Sequence, residues 1–249
     1  MNGVWGKRAG LLLAFLFAGE LSAQDWRTAS REPAGLAPDP ATTSEAVVQV
    51  YAARAVRWRG NFGVHTWIAV KPTGAAQFTV HEVMGYQTRR TGTGVRSSQR
   101  AADMMWYGNR PWIVADLRGP GVDDVIRRIN QAVMEYSYAS SYRIWPGPNS
   151  NTFTAEVLRA APELQVDLPA LAIGKDFLRA PFVAKTPSGT GLQVNTFGLA
   201  GVLVGWHEGV EVNIAGLIFG INPSRLALKL PLLGNVGLRS TSEPASLNE

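Results

Sequence analysis

Ser150, His65 and Glu82 are the residues of this chain whose types and spacing fit chemistry. Ser150 stands in "WPGPNSNTF", residues 145–153. Two prolines and a glycine break the chain there, and Asn149-Ser150-Asn151 leads straight into an amphipathic segment, Phe153 to Leu158. A serine hydroxyl is a poor nucleophile at neutral pH until a base takes its proton. Histidine is the usual base, and a third polar group fixes its tautomer. At the mouth of a helix, backbone N–H groups and the positive end of the dipole can stabilise an oxyanion. The plainer reading is a helix cap, since Asn and Ser lead the N-cap preferences.

The base and its partner have to come from strands. "VHTWIAVKP", residues 64–72, alternates, with Val64, Thr66, Ile68 and Val70 on one side and His65, Trp67 and Ala69 on the other. A Pro-Thr-Gly turn follows, then "AQFTVHEVMGY", residues 76–86, so a hairpin is expected. Glu82 lies 17 residues after His65, in the hairpin partner, and a carboxylate there is placed to orient the imidazole. His81 is adjacent but points to the opposite face. The bland readings are a buried strand histidine for His65 and a surface charge for Glu82.

The remaining elements follow from the same patterns. "AVVQVYAARAV", residues 46–56, reads as a strand, and residues 88–100 as a polar loop or edge hairpin. "MWYGNRPWIVADLRG" reads as a loop and a short strand. Residues 121–136 form the clearest helix: Val122, Val125, Ile126, Ile129 and Val133 keep the three-four spacing. Asp123 and Asp124 favour its first turn. A second helix is expected from about Ser150 to Ala160. Residues 191–230 are apolar, Gly-punctuated runs too short for membrane helices. They read as strands that close or cover the sheet, with a potential contact to a membrane surface. The sum is one α+β domain over residues 45–238.

Aromatic residues supply candidate walls for a binding site. Trp106 and Tyr107, with Trp112 and Arg110, suit a groove for sugars or a peptide, or else a satellite hydrophobic cluster. Tyr138, Tyr142 and Trp145 precede Ser150 and suit pocket wall or core. Asn149, Asn151, Trp106, Tyr107 and Trp145 are therefore the substrate-binding candidates. Asn149 and Asn151 have turn and cap duty as the alternative. His207, Glu208 and Glu211 fall in a turn region.

Composition removes several chemistries. The chain has no cysteine, which excludes disulfides, thiolate zinc sites and a cysteine nucleophile. With three histidines, a histidine-rich metal site is not expected, and no cofactor is implied. The net charge of +5 comes from scattered Lys and Arg without the clustered footprint of a nucleic-acid binder. A general attraction to anionic surfaces remains.

The first residues resemble a targeting segment. Lys7 and Arg8 precede an 11-residue apolar run, residues 9–19, and "ELSA" offers Ala23 as a cleavage position. Leu21 departs from the small residue preferred there, so an uncleaved anchor is the alternative. Either way the expectation is an exported protein, periplasmic or anchored facing the periplasm. Residues 24–44 are Pro- and Ala-rich and read as an extended linker, and residues 239–249 as a tail.

His65-Thr66-Trp67-Ile68 on a strand, then a hairpin carrying His81-Glu82, then Asn149-Ser150-Asn151-Thr152-Phe153 opening a helix, resembles the circularly permuted papain-like fold over roughly residues 46–160. Lecithin–retinol acyltransferase relatives and deSUMOylating isopeptidases belong to that group. Their nucleophile motif is Asn-Cys-x-x-Phe, and here serine stands for the cysteine. A cysteine beside histidine at a helix N-terminus ionises, whereas a serine must lose its proton during attack. The mature chain also resembles a bacterial family of proteins of unknown function, the domain of unknown function 3750. "VQVYAARAVRWRGNFGVHTWIAVKP", "EVMGY", "WYGNRP", "DLRG", "YRIWPGPNSNTF", "VDLPALAIGKDF" and "GVEVNIAGLIFGINPSRLALKLP" carry that likeness.

The resemblance implies a permuted papain-like core, an antiparallel sheet packed on helices, with a C-terminal β-rich extension. Two functions are then expected as alternatives. One is a serine hydrolase or acyltransferase acting on an amide or ester of the envelope (peptide, cell wall or lipid), with Ser150 as nucleophile, His65 as base and Glu82 as orienting group. The other is a catalytically silent binding protein that keeps the cleft.

Overall fold

A computed structural model describes residues 27–237. The segments read as a signal or anchor (1–23) and as a tail (239–249) lie outside the described residues.

Five antiparallel strands build the first sheet: β1 (Val47–Arg54), β2 (Val64–Lys71), β3 (Thr79–Val83), β4 (Val95–Gln99) and β5 (Trp112–Arg118), in the order β4-β3-β2-β1-β5. β1 and β2 are central and buried along their length. Their Val-, Ala- and Ile-rich sequences suit a sheet covered on both faces. One face packs against α2 (Val122–Met134) and α3 (Ser150–Leu158). There Val48, Val50, Ile68 and Val70 meet Val125, Ile126 and Ile129 of α2 and Phe153 and Val157 of α3. The expected three-four stripe of α2 is the buried one.

The opposite face carries Tyr51, Trp67, Ala69 and Val80 and is covered by Phe78, Ala102, Leu36, Ala37 and Trp106. Residues 30–37 are irregular, with a lone bridge at Pro33 and bends at Gly35 and Ala37, and they pack. Ala34 N–H donates to the Asp103 carbonyl, Met105 N–H to Glu32, and Gly108 N–H to Ser30. The Asp103 carboxylate accepts the Leu36 and Ala37 amides. What reads in the sequence as a linker is thus the cover of this face.

Two elements differ from the sequence reading. Gly85–Thr91 forms a short helix, α1, inside a stretch read as strand end and loop. Nothing in its sequence announces a start, because Met84 at its N-cap makes no side-chain cap. The C-terminal strands do not close or cover the first sheet. They form a second one, a meander in chain order from β6 (Val183–Lys185) through β7 (Gly191–Thr196), β8 (Ala200–Gly205), β9 (Gly209–Ile214), β10 (Leu217–Asn222) and β11 (Ala227–Leu230) to β12 (Gly234–Gly237). An irregular strap, residues 165–178, runs between α3 and this sheet and ties the two together through buried charges.

Candidate active site

β2 presents successive side chains to opposite faces, and the site depends on that alternation. Thr66 faces the helix layer. Its Oγ1 donates toward Asn151 Oδ1 at 3.0 Å and lies 2.9 Å from Thr154 Oγ1. His65 faces the other way, against Trp106 and Trp67. The imidazole lies nearly parallel to the Trp106 ring, 10° between planes and 3.6 Å between centroids.

The expected partnership of His65 and Glu82 is present in the geometry: Nε2 lies 3.1 Å from Glu82 Oε2, and both residues are buried. Arg100 Nη2 donates to the other oxygen, Oε1, at 3.3 Å. Burial pushes the Glu82 carboxyl up, but the hydrogen bond from His65 and the charges of His65, Arg100 and Arg96 outweigh it, so Glu82 is held below the ordinary carboxyl value. Burial also dominates at His65 and depresses it below the ordinary imidazole value, against the raising influence of Glu82. An ionised carboxylate only accepts, so Nε2 must carry the proton and Nδ1 the lone pair. No described residue makes a hydrogen bond to Nδ1. His81, as expected, points to the opposite face, where Nδ1 meets Ser97 Oγ at 2.8 Å.

The Asn-Ser-Asn cluster is a cap and a brace. The chain enters it through cis Trp145–Pro146 and Gly147–Pro148 bonds. Asn149 is the N-cap: Oδ1 accepts from the amides of Asn151 and Thr152 at 2.9 and 3.2 Å, and Thr152 Oγ1 in return accepts from the Asn149 amide. Asn149 Nδ2 donates to the carbonyls of Ile144 and Ile173, both at 3.0 Å. Asn151 Nδ2 donates to Val64 O at 3.1 Å and Ile173 O at 2.9 Å. Both amide side chains are thus engaged within the protein, which places Asn149 and Asn151 as positioning residues rather than substrate contacts. The Asn151–Val64 bond docks the start of α3 on the strand residue next to His65.

Ser150 itself is buried yet makes no hydrogen bond through Oγ or its amide to any described residue. The amides of Asn151, Thr152 and Phe153 are taken by Asn149, so the Ser150 amide is the first-turn donor left open. No hydrogen bond joins Ser150 to His65.

His65 opens onto a cavity of about 380 Å³ at this end of the sheet. Trp106 and Tyr107 line it, as expected, together with Trp58, Arg57, Arg59, Tyr86 and Tyr142. Ser150 is not among the lining residues. Trp145 is elsewhere: it is exposed, and its indole donates to Ala215 O in the second sheet. Tyr138 joins the core against Phe177 rather than the cavity. Gly85 permits Tyr142 its place, for a Cβ there would lie 2.4 Å from the Tyr142 ring. The sequence reading missed Arg100, Arg57, Arg59 and Tyr86. The signal for Arg100 lay in the pairing of β4 with β3, which carries the chain back past Glu82.

Among the described residues no cluster of three or more His, Asp or Glu side chains could hold a metal ion. No helix among them is long and apolar enough to cross a membrane.

A family model described as protein of unknown function (DUF3750) matches residues 45–177. The match spans the first sheet, the three helices described and most of the strap, and it stops before the second sheet. No curated protein and no solved structure matches the chain.

Proposed function

The chain belongs to the DUF3750 family of proteins of unknown function, and from the site we propose a serine-dependent hydrolase or acyltransferase acting on an amide or ester. The observation that carries this is the His65–Glu82 pair at the wall of an open cavity, with Nε2 engaged and Nδ1 free. A buried imidazole held neutral, in a fixed tautomer and with its basic nitrogen unengaged, is what a general base requires.

In the reaction the Ser150 Oγ–H proton passes to His65 Nδ1 as Oγ bonds to the carbonyl carbon. The carbonyl oxygen takes the electron pair and meets the free Ser150 amide. Collapse of the intermediate expels the amine or alcohol, which takes the proton from Nδ1. Water, or an acceptor hydroxyl or amine, then releases the acyl group by the same steps. Ser150 heads α3 on the helix face and lies outside the cavity lining, so this step requires the start of α3 to shift toward His65 when substrate binds. Arg57 and Arg59 at the cavity favour a substrate with an anionic group. The order of histidine strand, then serine helix, is that of the circularly permuted papain-like fold, and an exported protein of the cell envelope fits this reading.

A second reading, a binding protein that keeps the cleft, is favoured by one observation: Ser150 neither bonds to His65 nor lines the cavity. Treatment with a fluorophosphonate probe separates the two. The hydrolase reading expects covalent labelling of the full chain that Ser150→Ala and His65→Ala both abolish. No labelling of the unaltered protein overturns it in favour of the binding protein, and labelling that survives Ser150→Ala overturns Ser150 as the nucleophile.

A further inference from the structure

The second sheet is inside out. Its strands alternate cleanly, but the side chains turned toward the strap are Gln193, Asn195, Glu211, Asn213 and Lys229, all buried. Leu203, Ile218 and Ala227 share that inner face, but most of the apolar side chains point to solvent. Cross-strand pairing lines them up in rows: Val194, Val202, Val212 and Phe219 form one, and Leu192, Val204, Val210, Ile221, Leu228 and Val236 the next. Every one of these ten is exposed. A soluble sheet that packs one face on a core shows the opposite pattern. A contiguous apolar face of this extent marks a surface that something else covers.

Charge identifies what covers it. From residue 178 to 237 the acidic side chains are Glu208 and Glu211, and both are buried. The basic side chains that reach solvent are Arg179, Lys185 and Arg225. Lys185 sits on the apolar face itself, paired across from Leu192. Turn residues add exposed rings, Phe197 between β7 and β8 and Trp206 between β8 and β9, the residue type that settles at a membrane interface. A second copy of the chain would set these like charges against one another, whereas an anionic bilayer complements them. The strands, of three to six residues, fall short of the roughly 9–11 needed to cross a bilayer.

We propose that the outer face of the β6–β12 sheet is a docking surface for an anionic lipid bilayer, with the apolar rows at the headgroup boundary and Lys185 and Arg225 on the lipid phosphates. This is independent of the activity of the His65 cavity.

The chain lacks cysteine, so one introduced thiol reports one place. Val212→Cys and, on α2, Arg127→Cys are labelled in the full chain with an environment-sensitive fluorophore and mixed with vesicles of phosphatidylcholine alone or with phosphatidylglycerol. Expected are a blue shift and quenching by nitroxide lipids at position 212 with phosphatidylglycerol vesicles, and neither at 127. The response should persist when Leu12→Asp and Phe15→Asp break the N-terminal apolar run. It should vanish with Val204→Glu plus Phe219→Glu. Lys185→Gln and Arg225→Gln, which leave the apolar rows intact, should each weaken partitioning about fivefold. No response to any vesicle overturns the proposal, as does binding lost with the N-terminal changes alone. A label at 212 already buried without lipid, with a doubled mass by light scattering, overturns it in favour of a second copy.

Discussion

At the scale of single residues, His65 carries the most chemistry. Burial, the larger influence, lowers its pKa, and Glu82 opposes this. Activity that needs the neutral imidazole should persist below the pH of about 6.5 at which an ordinary histidine protonates, and fall only at the lower folded value. The unfolded chain binds the proton first, so His65 contributes stability that is present above about pH 6.5 and lost as pH falls through the folded value. Titration followed by ¹H–¹⁵N NMR of the imidazole should show Nε2 protonated, Nδ1 bare and a midpoint below 6.5. In Glu82→Gln the carboxylate that raises His65 is gone, so the midpoint should fall further while turnover drops by about 10²–10⁴-fold. A midpoint that rises in this variant would sink the assignment of Glu82. The pairing was legible in the sequence, because a short turn between alternating strands fixes which side chains share a face. The stacking of Trp106 on His65 was not, since a loop with its own bridge at Trp106–Asn109 places that ring.

At the scale of elements, α3 shows why the cap and nucleophile readings of the Asn-Ser-Asn cluster are compatible. Asn149 and Asn151 do the capping and bracing, and Ser150 between them is left unpaired. Asn149→Ala removes the acceptor of two helix amides and the donor of two partly buried bonds to carbonyls. It should cost about 2–4 kcal/mol in urea denaturation, more than a cap alone. Asn149→Ser keeps an acceptor at the cap and should recover part of that loss. If both variants were as stable as the parent, the brace would be no constraint on the site. The sequence announced α2 and α3 through spacing and caps. It hid α1, whose residues carry neither a capping side chain nor a buried face.

At the scale of the whole molecule, a buried ion network joins the strap to the second sheet. Lys229 Nζ meets the carboxylates of Asp167 and Glu211, and Lys175 Nζ meets Glu211 at 2.8 Å. All four side chains are almost fully buried. Alternation in residues 191–230 predicted the strands correctly. It could not say which face turned inward, because a polar inner face is stable only when a distant segment supplies the opposite charges. The strap, whose Lys175 and Asp167 stand 36 and 62 residues before their partners Glu211 and Lys229, is that segment. Burial alone would lower Lys229, yet Glu211 and Asp167 outweigh it and hold the ammonium above its ordinary value. Lys229→Met strands the Asp167 carboxylate in a dry interface and leaves Glu211 to Lys175 alone, and the loss should be about 3–5 kcal/mol. Adding Asp167→Asn removes the stranded charge and keeps the Lys175–Glu211 pair, and should return part of the loss, measured as unfolding midpoints across the series. Equal stability of the single and double variants would mean that water reaches the interface and screens the stranded carboxylate.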